Sequence, residues 1–87
     1  MRLRVDAKID RVGPREIQRI LGVTDALGIH RESVAVPLAT HGAGSVRLVG
    51  SERIEIVAPG EGDFELWLLR LADAIQGLDL SRVRRSE

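Results

Sequence analysis

The chain has 87 residues, with thirteen basic and thirteen acidic side chains, two histidines and no cysteine. A chain of this size makes one small domain that buries only about 60% of the surface its unfolded form exposes. Balanced charge gives no long-range pull toward nucleic acid or anionic membrane, and the lack of cysteine excludes disulfides, thiolate metal sites and cysteine nucleophiles.

Residues 1–10, MRLRVDAKID, alternate strictly: Leu3, Val5, Ala7 and Ile9 against Arg2, Arg4, Asp6, Lys8 and Asp10. That period of two predicts a strand with one face on a core and one in water. The same stretch has no apolar stretch of the kind a signal peptide requires. No apolar run in the chain approaches the ~20 residues of a membrane span, so the expectation is a soluble, cytoplasmic protein.

Gly13-Pro14 breaks the strand, and proline is tolerated in a helix's first turn, where its missing N–H has no partner to lose. Over residues 14–27 the period becomes helical, with Ile17, Ile20, Leu21, Thr24 and Leu27 on one stripe opposite Arg19, Gly22 and Ala26. Gly22 weakens this helix and is a point where it could break in two. Gly28 stands where a left-handed C-terminal cap is expected.

Residues 33–39 read as a second strand with Val34, Val36 and Leu38 inward; Pro37 places it at a sheet edge or at a position where the missing N–H would point outward. Two further strands follow, carrying Val46 and Leu48, then Ile54 and Ile56, with Gly50-Ser51-Glu52 as the hairpin turn. Asp63 is a ready cap for a final helix whose stripe is Phe64, Trp67, Leu68, Leu71, Ala74, Ile75 and Leu78. Residues 81–87 are polar and predict a frayed tail after one α+β domain over residues 1–80.

The order β-α-β-β-β-α predicts a two-layer α+β sandwich: a mixed four-stranded sheet with two helices on one face. A right-handed crossover sets the first two strands parallel, and the other connections make an antiparallel meander.

Candidate chemistry is sparse. His30 and His41 are the only histidines, and the His-x-Glu spacing of His30 and Glu32 lacks the downstream cysteine pair that a zinc deaminase site needs; no metal or cofactor is expected. The stretch His41-Gly42-Ala43-Gly44-Ser45 reads first as a flexible connection between strands. Its second reading is an anion or ligand loop made of His41, Gly42, Gly44 and Ser45, with Arg47 beside it. It has neither the lysine of a P-loop nor the helix that follows a phosphate cradle, nor a serine placed between glycines as in a nucleophile elbow. Arg47 and Arg53 join Arg2, Arg4 and Lys8 on the outer sheet face, where Asp6, Asp10 and Glu55 interrupt the patch and no aromatic is available for base stacking.

On the final helix Leu66 and Leu69 fall off the core stripe, and Trp67 sits at its edge. Leucines three apart lie together on a helix surface, and a small domain gains from further burial. The expectation is therefore a non-catalytic association domain, a homodimer meeting through Leu66, Leu69 and Trp67. Another protein is a second class of partner. The alternative is a module binding RNA or a phosphate-bearing ligand through the glycine loop and exposed arginines.

Overall fold

The computed structural model describes residues 11–85. Its elements are helix α1 (Pro14–Ala26), a single 3-10 turn (Arg31–Ser33), strands β1 (Val34–Ala35), β2 (Ser45–Val49) and β3 (Arg53–Val57), and helix α2 (Phe64–Gln76). The α+β class follows directly. Among the described residues the sheet has three strands in the order β1-β3-β2; the strand expected over residues 1–10 lies outside them.

The sheet is mixed, as expected, but its wiring differs. β2 and β3 form the expected antiparallel hairpin, with Val46 opposite Ile56 and Leu48 opposite Ile54. β1 does not continue a meander onto β2; it pairs parallel with β3, Val34 beside Ile54. β1 also stops after two residues instead of running to Ala39. Pro37 has no N–H to give a ladder, which limits how far the pairing can run. Beyond it Leu38 is half exposed, not inward, and the chain meets residues 11–12 instead. Arg11 and Ala39 form an antiparallel bridge, and the Val12 N–H donates to the Leu38 carbonyl at 2.8 Å.

α1 starts as read, with Pro14 in its first turn and Glu16 reaching back to accept from the Gly13 N–H at 3.0 Å. It is continuous through Gly22, whose exposed position leaves the core stripe of Ile20 and Thr24 intact. Gly28 adopts φ of 77°, the expected left-handed cap. Asp63 caps α2 by accepting from the Glu65 and Leu66 N–H groups at 2.9 and 3.4 Å. The buried positions of α2 are Leu68, Leu71 and Ile75; Ala74, expected on the stripe, is exposed.

α2 packs on β2 and on α1. Ile20, Ile29, Ile54, Ile56, Leu71 and Ile75 fill one core with Val12, Ala58, Leu68 and Val83. Val83 corrects the expectation of a frayed tail. It is buried, the Arg84 carbonyl accepts from the His30 N–H at 3.0 Å, and Arg85 bridges Ile29. One apolar residue between arginines suffices to join the core cluster, while the backbone on its C-terminal side pairs with residues 29–30.

Candidate functional site

Four segments meet at one end of the sheet. The 3-10 turn delivers Arg31, Glu32 and Ser33, the chain entering β1 delivers Val34, the hairpin delivers Glu52 and Arg53, and the docked C-terminal segment delivers Arg82 and Arg84. Together they line an open cleft of about 610 Å³. The parallel register beside Val34 and Ile54 explains why Ser33 and Arg53 are neighbours. His30 caps the turn, its Nδ1 accepting from the Glu32 N–H at 3.1 Å, so the His-x-Glu spacing works as a local cap.

The cleft's charges are unevenly satisfied. Arg31 forks onto Asp25, with contacts of 3.2 and 2.8 Å; that pairing holds the Asp25 carboxyl below its usual range and raises Arg31. Arg84 reaches Glu32 at 3.3 Å, longer than the 2.7–2.8 Å of the other ion pairs among the described residues. Arg53 and Arg82 have no ion-pair partner among those residues. With Asp25 neutralising Arg31 and Glu32 reached by Arg84, Arg53 and Arg82 face only the Glu52 carboxylate, a local excess of one positive charge in a chain of zero net charge.

The glycine loop lies elsewhere. His41 is exposed, and its N–H donates to the Ala58 carbonyl at 3.1 Å. The Gly44 N–H closes the turn onto the His41 carbonyl at 2.8 Å, and Gly60 donates to the Gly42 carbonyl at 2.9 Å. These bonds lash the loop to residues 58–60 and occupy two of the N–H groups that an anion nest would use. Ser45 opens β2 opposite Val57, and Arg47 pairs with Glu55 across the hairpin at 2.7 Å. No cation from this set turns into the loop.

What the loop does touch is Trp67. A β-carbon on Gly44 would lie 2.8 Å from the indole Nε1 and 2.9 Å from the Val57 carbonyl. Trp67 also contacts Phe64, their ring centroids 5.6 Å apart. The structure thus joins Gly44 of the expected ligand loop to Trp67 of the expected interface. It separates Trp67, half buried on the inner side of α2, from Leu66 and Leu69, which are 47% and 77% exposed.

Sequence reading passed over the cleft because its members come from residues 31–34, 52–53 and 82–84. The available signal was Val83, a lone apolar residue alternating with Arg82 and Arg84. Among the described residues no helix is long and apolar enough to cross a membrane. No family model, curated protein or solved structure matches the chain.

Proposed function

We propose that the protein works in the cytoplasm as a small association domain without chemistry of its own, pairing with a second copy through the outer face of α2. The observation that carries this reading is Leu69, a leucine 77% exposed at mid-helix, three residues from Leu66 at 47%. Arg70 and Asp73 are also exposed and share that face at helical spacing.

The face is self-complementary. In an antiparallel pair around a two-fold axis, setting Leu66 of one copy on Leu69 of the other brings Arg70 toward the second copy's Glu65, whose carboxylate would be shared with its own Arg19. Opposite charges then flank an apolar centre on both sides, as a two-fold contact requires. Trp67 lies outside this face, half buried against Phe64 and Gly44, which leaves Leu66 and Leu69 as its apolar centre.

Two leucines supply far less than the roughly 1,200–2,000 Å² of a stable interface, so association depends on concentration. Light scattering over a dilution series should give a mass rising from 9.5 kDa toward twice that value. A Leu66→Gln, Leu69→Gln double variant should stay at the monomer mass. A parent chain that is monomeric throughout, or a double variant that matches an associating parent, would sink the reading.

A further inference from the structure

We propose that the cleft lined by Arg31, Arg53, Arg82 and Arg84 is a binding site for a compact oligoanion carrying two or more phosphoryl groups, of which inorganic pyrophosphate is the minimal form. This site is separate from the α2 face, and neither proposal depends on the other.

Guanidinium groups match phosphoryl oxygens in a fork geometry that delivers two hydrogen bonds at once. Arg53 and Arg82 stand on different segments, without ion-pair partners among the described residues, and both face the same 610 Å³. Such a volume suits a small ligand, since ligand pockets run from about 300 to 1,000 Å³. Arg84 can join them at little cost, because its 3.3 Å contact to Glu32 is the longest ion pair described and is exposed on both sides. Arg31 lines the cleft with its fork held by Asp25, so it offers the ligand a remaining N–H rather than net charge. The Ser33 hydroxyl and the carboxylates of Glu32 and Glu52 supply polar contacts for any hydroxyl groups the ligand carries.

The same observations disfavour a nucleic acid strand. A phosphate backbone tracks an extended basic surface and its bases stack on aromatics. Here two glutamates interrupt the positive lining, and the described aromatics, Phe64 and Trp67, pack on each other and on Gly44, away from the cleft. A compact anion needs only Arg53 and Arg82, with Arg84 close enough to join them.

Titration calorimetry at near-physiological ionic strength tests the assignment with pyrophosphate, orthophosphate and a single-stranded oligonucleotide as separate probes. Pyrophosphate should bind, and more tightly than orthophosphate. An Arg53→Ala, Arg82→Ala double variant, whose substituted side chains are exposed and support no core contact, should lose about tenfold or more in affinity. Glu52→Gln, which removes a repelling charge, should tighten binding, and Arg70→Ala, outside the cleft, should leave it unchanged. Circular dichroism confirms that each variant is folded. Absence of pyrophosphate binding by the parent chain would overturn the proposal. So would equal affinity in the Arg53/Arg82 variant, an Arg70→Ala loss as large as that variant's, or salt-steep oligonucleotide binding without pyrophosphate binding.

Discussion

Two glycines show how differently the same residue type is used here. Gly22 lies on the exposed face of α1, where an added β-carbon meets nothing within 4 Å. It contributes only backbone freedom, which a helix interior penalises. Gly44 has φ of 80°, and its missing β-carbon leaves room for the Trp67 indole and the Val57 carbonyl. Gly22→Ala should therefore raise stability by up to about 1 kcal/mol. Gly44→Ala should lower it by roughly 1–3 kcal/mol, the range for strain at a left-handed position, and should disturb Trp67 fluorescence. Urea unfolding of the two variants beside the parent checks both signs. Equal effects would mean that the loop does not lean on Trp67.

At the scale of elements, the two helices are tied by Arg19, in the middle of α1, which donates two hydrogen bonds to Glu65 in the first turn of α2 at 2.8 and 2.7 Å. The bond to Arg19 and its charge hold the Glu65 carboxyl below its usual range. A carboxylate depressed in the folded state contributes stability above its unfolded pKa and loses it as pH falls through the folded one. Glu65→Gln should consequently be less stable than the parent near neutrality. The gap should close as the pH drops through and below the ordinary carboxylate range, because protonated glutamate resembles glutamine. Unfolding midpoints across that range test this, and a gap that widens with acid contradicts it. Both helices were legible for local reasons: Pro14, Asp63 and the 3.6-residue stripes act within a few positions of themselves. The hairpin was legible likewise from its alternation and from Gly50, whose φ of 67° suits the turn. The parallel pairing of β1 with β3 was not, because register between distant segments is set by burial of Ile54 and Ile56 and by where Pro37 ends a strand. The glycine loop was legible as a connection, but its seat on Trp67 required knowing how α2 lies on β2.

The whole molecule is closed by its C-terminal segment, and there local patterning misleads most. α1 has no basic residue in its last turn, although cations favour the unpaired carbonyls at a helix C-terminus. Arg85 fills that role from the far end of the chain, donating to the Leu27 and Gly28 carbonyls at 2.8 and 3.2 Å. Val83 anchors the segment at 4% exposure, and its neighbours Arg82 and Arg84 thereby become a wall of the cleft. Val83→Asp should detach the segment, since an unpaired carboxylate in the core is costly and the roughly 1.5–3 kcal/mol of valine burial is lost as well. The His30 amide, bonded to the Arg84 carbonyl in the parent, should then exchange with solvent much faster. Amides within α1 and between β2 and β3 should keep more of their protection, because their partners lie within the helix and hairpin. Hydrogen exchange resolved by residue distinguishes the outcomes. Selective loss at His30 means that the segment is a docked strap whose release dismantles the cleft. Uniform loss across all amides would mean that Val83 is as integral to the core as Ile54, and that the cleft wall cannot detach without unfolding the domain.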